Sequence, residues 1–322
     1  MKQKKRFKKC IAIEYLPFEM RNRRSEFADF AEKVFHSIDW KTYDRPFPEK
    51  FTQALHEIAE NSRFVSRVVV DISAMSKMLI IILLNGLKNL DCQLSIIYSP
   101  AEVYHPLREI YEKKAKSESD AFPYFLTSDV YKVVSTSELS SIAMQGAPLI
   151  MIAFPNFNYR EIAALLNETN AQKLFLIESV RDLKENAWRL NAIRWINRSL
   201  KTYVTTAHET VDASDINANI RILDNIYDKC HLTHKIALSP TGGKLQAVAS
   251  FCLKIMHPDI HILYPVVREF AEDYTEGYLP HLEIFFGSFR DYILILDQHR
   301  RSGLSEIDQI LKSRNEKVST IE

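Results

Sequence analysis

"LSPTGGKLQAVAS", Leu238 to Ser250, decides how this chain folds. A run of strand length, "HKIALSP", ends at Ser239 and Pro240. Beyond the glycines, Leu245, Val248, Ala249, Cys252, Leu253 and Met256 recur at the i, i+3, i+4 spacing of a helix with one apolar stripe. Strand, glycine turn and helix make one βα unit. The chain has only seven glycines in 322 residues, less than a third of the usual share of roughly 7%. An adjacent pair at a strand-to-helix junction therefore calls for a backbone reason.

The same alternation runs outward in both directions. "CIAIEYL" reads as a strand, "SEFADFAEKVFHSI" as a helix, and the Pro-marked "KTYDRPFPEK" as a polar stretch leading to a helix "FTQALHEIAENS". "RVVVDIS", "AMSKMLIIILLNGLKNL" and "QLSIIYS" follow as strand, helix and strand. From "PLIMIAFP" onward the pattern restarts, with "NYREIAALLNE", "KLFLIES", "NAWRLNAIRWINRSL", "TYVTTA" and "DINANIRILDNIYDKC" leading back to the glycine pair and on to "IHILYP". Strands alternating with helices of this length predict an α/β protein whose parallel sheets carry helices on both faces.

Local echoes predict two Rossmann-like halves in tandem. "IAIEYLPFEMR" parallels "IMIAFPNFNYR", and Lys-Thr-Tyr occurs at Lys41–Tyr43 and again at Lys201–Tyr203. "VVVDISAMSK…LSIIYSP" parallels "KIALSPTGGK…IHILYP", so that Ser73 corresponds to Ser239 and Lys77 to Lys244. The expected organisation is a first half over 1–105, a connector over 106–147, a second half over 148–290 and a C-terminal tail over 291–322. "MLIIILL" is apolar all round, which predicts a helix buried between layers.

Composition bounds the function. With 42 Lys and Arg against 41 Asp and Glu, no net field draws the protein to nucleic acid or to a membrane. The basic "MKQKKRFKK" reads as a solvated tail, with a nucleic-acid-contacting arm as the minority reading. Four scattered cysteines, Cys10, Cys92, Cys230 and Cys252, fit buried thiols in a reducing compartment. The N-terminus runs directly into a strand pattern rather than a leader, and no apolar run is long enough to span a bilayer. A cytoplasmic protein is expected.

The loop's chemistry follows from its place. In an open parallel sheet, ligands bind beyond the carboxyl ends of the strands, against helix N-termini whose amides and dipole favour anions. Ser239, Thr241, Gly242, Gly243 and Lys244 stand there, offering hydroxyls, bare backbone and a cation, while Lys244, Gln246 and the glycine turn read as free of core duty. A plain βα turn capped by Ser239 or Thr241 is the competing reading. Neither G-x-x-x-x-G-K-[ST] nor G-x-G-x-x-G occurs, so this is neither a Walker loop nor a dinucleotide fingerprint. In the first half, "DISAMSK" places Ser73, Ser76 and Lys77 at the matching position without a glycine, and Asp71 ends the strand.

"LSPTGGKLQAVAS" resembles the strand–Thr-Gly-Gly–Lys–helix signature of the CRISPR-associated Rossmann fold, the CARF domains of anti-phage systems. That resemblance implies a phosphate-bearing nucleotide ligand, such as a cyclic oligonucleotide, contacted by Thr241, Gly242, Gly243 and Lys244, and further by Ser239, Ser73, Ser76 and Lys77. It also implies a second ligand loop after the first strand of each half. Here those loops are "PFEMR", 17–21, and "PNFNYR", 155–160, where Asn156 and Asn158 would meet a base or ribose and Arg160 a phosphate. A tandem chain would replace the family's homodimer, and no effector domain is recognised within the sequence. A separate effector protein or a homo-oligomer is the partner this implies, and no cofactor is expected.

Other constellations carry less. His231 and His234, and His257 and His261, have helical metal spacing but border strands and lack a completing set, so no metal is expected. The G-x-S-x-G elbow is absent. "WRLNAIRWINR" reads as an amphipathic helix with a solvated basic side. The reading is thus a nucleotide-binding sensor or regulatory protein of a defence-type system, more a binder than an enzyme. The alternatives are a metal-independent ring nuclease or phosphodiesterase, and a non-catalytic interaction scaffold.

Overall fold

A computed structural model describes residues 7–17, 23–115, 127–182, 184–270 and 274–302. The first part of the chain runs β1 (Phe7–Leu16), α1 (Arg24–Val34), β2 (Phe35–Asp44), α2 (Thr52–Ser62), β3 (Arg67–Asp71), α3 (Lys77–Leu87) and β4 (Gln93–Tyr98). Short elements follow: β5 (Val103–Tyr104), α4 (Arg108–Ala115) and β6 (Val130–Val134). Then come β7 (Leu149–Ala153), α5 (Tyr159–Thr169), β8 (Lys173–Val180), α6 (Ala187–Ile196), β9 (Thr205–Asp212), α7 (Ile216–Cys230), β10 (Lys235–Ser239) and α8 (Lys244–Met256). The chain closes with β11 (His261–Ile262), β12 (Tyr264–Val267), β13 (Thr275–Glu276), β14 (Leu282–Ser288) and α9 (Phe289–Ser302). The basic N-terminal run to Arg6, most of the 17–21 loop and the charged connector 116–126 lie outside the described residues.

The second set of βα units builds a five-stranded parallel sheet in the order β11-β10-β7-β8-β9. Its first strand, β7, sits at the centre, and the chain works outward first to one side and then to the other. Alternate residues of β7 serve opposite cores. Ile150 and Ile152 join a cluster with Leu223 of α7 and Val248 of α8, while Met151 and Ala153 pack with Ile162 and Leu165 of α5. A strand covered on both faces has no polar side to show, hence the unbroken apolar run "LIMIA".

The first part is built differently from the expected copy. β1 and β2 pair in parallel as a two-stranded ribbon, and β3 and β4 pair in parallel in a separate sheet. Among the described residues no ladder joins β1 to β3. The Tyr15 hydroxyl instead accepts the Ser76 amide at 2.6 Å. The third strand of the second sheet is β14, antiparallel to β4 with Leu282 opposite Tyr98. The C-terminal strand, grouped by sequence with the second half, thus completes the sheet of the first. β2 is a further departure, since its opening residues "FHSI" carry on the helical pattern of α1 in sequence yet form a strand. Lys41–Tyr43 lies inside β2, whereas Lys201 and Thr202 lie in a 3₁₀ turn, so the repeated tripeptide marks no shared structure.

Helix α3 lies where its composition demands. Met78 through Leu84 are all buried, and the helix packs on α8 and α2. Helix α9 is anchored rather than loose, with Phe289 fully buried and Tyr292 and Leu296 nearly so. Among the described residues no helix is long and apolar enough to cross a membrane.

Candidate functional site

The sheet order reverses between β7 and β10, and the loops leaving those strands meet there. Thr241 fastens them. Its hydroxyl donates to the Phe154 carbonyl at 2.7 Å and accepts the Phe154 amide at 3.0 Å. Gly242 is a glycine because of this closeness. A Cβ at that position would stand 2.8 Å from Phe154 Cβ and overlap Gln246 Oε1. Gly243 is the N-cap of α8, and its amide donates to Gln246 Oε1 at 2.8 Å.

Gln246 corrects the sequence reading. It is fully buried, and its amide nitrogen donates to Ser179 Oγ at 2.7 Å and Asn219 Oδ1 at 3.0 Å. It closes the turn and belongs to the interior. Ser239 is likewise fully buried, with a hydroxyl that has no partner among the described residues. Neither Ser239 nor Thr241 caps α8. The amides of Gly242 and Lys244 donate to no group among the described residues, so two donors at this helix start stay available.

From the first part of the chain, α3 brings the matching pieces. Ser76 caps the helix, its Oγ accepting the Leu79 amide at 3.3 Å. Ser73 Oγ accepts the Ser99 amide at 2.8 Å, and Asp71 accepts the Ser73 amide at 2.8 Å. Both serines hold their loop in shape. Lys77, the first residue of α3, donates to the Thr241 carbonyl at 3.2 Å. Lys244, the first residue of α8, feels the Lys77 charge: burial first, and then this neighbour, push its ammonium down to about 8, partly offset by Asp71. Lys77 and Lys244 thus start helices of separate βα units, and the Lys77–Thr241 bond joins one to the loop that opens the other.

A cavity of about 90 Å³ opens beside Lys77, walled by Asn156, Glu161, Arg189 and the rings of Tyr264 and Tyr274. Asn156 donates to Glu161 at 3.0 Å and to the Thr241 carbonyl at 3.1 Å. Burial holds the Glu161 carboxyl above the usual carboxylate range, with the Lys77 charge pulling the other way. Arg189 donates to the carbonyls of Tyr104, His105 and Pro106, and burial lowers its guanidinium to about 10. His105 Nε2 pairs with Glu276 at 2.7 Å, while its Nδ1, buried in the same wall, has no partner among the described residues.

Of the residues expected from sequence, Lys77, Asn156 and Asn158 line this cavity, and Lys244, Gly242 and Gly243 border the adjoining helix start. Asn158 is occupied as the cap of α5 and as a donor to Thr127 at 2.6 Å. Arg160 is engaged elsewhere, in an ion pair with Asp129. Glu161, His105 and Arg189 are additions that the sequence does not single out. Periodicity puts Arg189 on a solvated helix face, whereas it reaches back across Phe157 to three carbonyls. His257 is paired with Asp224 at 2.6 Å, and among the described residues no three His, Cys, Asp or Glu converge as metal ligands.

The chain matches no family model and no curated protein in sequence. Among solved structures, Can2 from Sulfobacillus thermosulfidooxidans, in complex with cyclic tetra-adenylate, is similar at 18% identity and a TM-score of 0.29. The match covers 36% of this chain and 31% of that one, so the chain spans about a third of that protein's length.

Proposed function

We propose that the crevice between α3, α8 and the carboxyl end of β7 binds a phosphate-bearing nucleotide, and that the protein is a sensor or regulatory partner in an anti-phage defence system. One observation carries this reading. Lys77 and Lys244 begin two different helices, and the Lys77 ammonium is bonded to the loop that opens the second, whose Gly242 and Lys244 amides are unpaired among the described residues. Like charges held together at a helix N-terminus favour an anion between them. The neighbouring tyrosines and Asn156 offer ring faces and an amide to a base or ribose. A cyclic oligonucleotide is the fuller form of the reading, and it agrees with the loop's resemblance to CARF domains. On this reading the βα units that carry Lys77 and Lys244 are two diverged copies of one unit, of which only the second keeps the glycine pair.

Isothermal titration of the full chain with cyclic oligoadenylates and mononucleotides tests it. Binding that falls at least tenfold in both Lys77→Ala and Lys244→Ala supports the proposal. No binding by any ligand, or binding indifferent to both substitutions, sinks it.

A second reading has its own support. Glu161, whose proton burial helps to retain, and His105 with an unengaged Nδ1 share the cavity with Lys77. A carboxyl group, an imidazole nitrogen and a cation therefore line one cavity. Metal-independent phosphodiester cleavage would use that set. Chromatography of cyclic tetra-adenylate after incubation should then show linear products that Glu161→Gln abolishes.

A further inference from the structure

A second cavity, of about 260 Å³, lies away from the lysine pair, between α6, the 3₁₀ turn that follows it and the strands β8 and β9. Its floor is apolar, made by Leu176, Ile193 and Pro155. Among the described residues that line it, Glu178 is the one carboxylate. Nearly fully buried, it accepts Arg194 Nε at 2.7 Å and pairs with His208 Nδ1 at 2.8 Å. Arg198 and Lys201 complete the wall, so it carries an excess of positive charge. An apolar floor under a cationic rim suits a flat organic anion better than a bare ion.

Asn197 adds the specific feature. It is 4% exposed and lines the cavity. Its Nδ2 donates at 2.8 Å to both the Asn156 and Ile193 carbonyls, which fixes the amide so that Oδ1 is the remaining end. That oxygen is buried and has no partner among the described residues. A buried acceptor left unpaired is costly, and Asn197 stands in the wall of this space.

We infer that this cavity is a second ligand site, separate from the lysine crevice, for a nucleoside monophosphate. The base lies on Leu176 and Ile193 and gives an N–H to Asn197 Oδ1. The phosphate faces Arg198 and Lys201 at the rim. Through Asn197 the site touches the carbonyl of Asn156, a residue whose side chain lines the central cavity, so the two sites share one loop.

The test uses the full-length double variant Lys77→Ala/Lys244→Ala, in which the central crevice is disabled. Titrated with AMP, this protein should bind one equivalent. Adding Arg198→Ala and Lys201→Glu should weaken that binding at least tenfold, with thermal unfolding unchanged within a few degrees to show that the fold is intact. Adenosine and inorganic phosphate should each bind at least tenfold more weakly than AMP. Loss of all AMP binding in the first double variant overturns the proposal, because the ligand then belongs to the central crevice. Phosphate binding as well as AMP overturns the nucleotide assignment, and AMP binding indifferent to Arg198 and Lys201 overturns the site.

Discussion

Lys77 Nζ stands 3.2 Å from the carbonyl oxygen of Thr241, 164 positions further along the chain. This bond joins the first turn of α3 to the loop that opens α8, the helix that Lys244 begins. A charge-assisted bond of this kind contributes roughly 1.5–3 kcal/mol when its ligand is a phosphate. Lys77→Ala should therefore weaken nucleotide binding by about ten- to a hundredfold, while circular dichroism at 25 °C stays that of the native protein.

The lysine pair also predicts a pH dependence. Lys244 loses its proton near pH 8 in the folded chain but near its ordinary value of 10.5 when unfolded. Phosphate affinity should thus fall as pH rises through about 8. For stability the sign is the reverse. The folded form carries the cost of a crowded cation below pH 8, and sheds it between about 8 and 10.5, where only the unfolded chain keeps the proton. Lys244→Met should be more stable than the parent at pH 7 by about 1–3 kcal/mol, with the gap in denaturant midpoint narrowing by about pH 9.5. A gap constant with pH would contradict the assignment.

The two glycines should respond differently. Gly242→Ala forces a methyl to 2.8 Å from Phe154 Cβ and should cost about 1–3 kcal/mol. At Gly243 the nearest atom to a new Cβ is 3.8 Å away, so Gly243→Ala should lose at most about 1 kcal/mol, the usual effect of alanine at an N-cap. Paired urea titrations would show the contrast.

Gln246→Leu removes the partner of Gly243, Ser179 and Asn219 at once. Buried polar groups left bare cost about 1–3 kcal/mol, and the α8 start should open. Faster hydrogen exchange at residues 241–246, with slow exchange retained in β7, is the expected signature.

Phe289 seats α9 against Phe251 and Phe286 and is fully buried. Phe289→Ala should cost about 3–5 kcal/mol, measurable as a lowered thermal midpoint.

Much of this architecture is legible in the order of the residues. Unbroken apolar runs such as "LIMIA" have one physical explanation in a chain that alternates with helices, and the all-round apolar α3 has to be interior. The lysine correspondence, Lys77 with Lys244, is legible too. β2 is not, because Phe35 and Ile38 keep the i, i+3 spacing of the preceding helix and the strand is only partly buried. Nor can spacing show that Gln246 points inward: a polar residue beside an apolar stripe reads as solvated unless its partners, here 27 and 67 positions away, are known. Arg189 escapes notice for the same reason. Its three carbonyl partners, Tyr104, His105 and Pro106, lie more than eighty positions upstream.

The pairing of β14 with β4 has a consequence for synthesis on the ribosome. β4 emerges early, yet its outer edge stays without a neighbour until residues 282–288 have left the exit tunnel. Until then an unpaired backbone edge is displayed to every other nascent chain. The amino-terminal region therefore reaches its final form only after residues 282–288 have emerged, and nearby chaperones should engage it for as long as that edge is open.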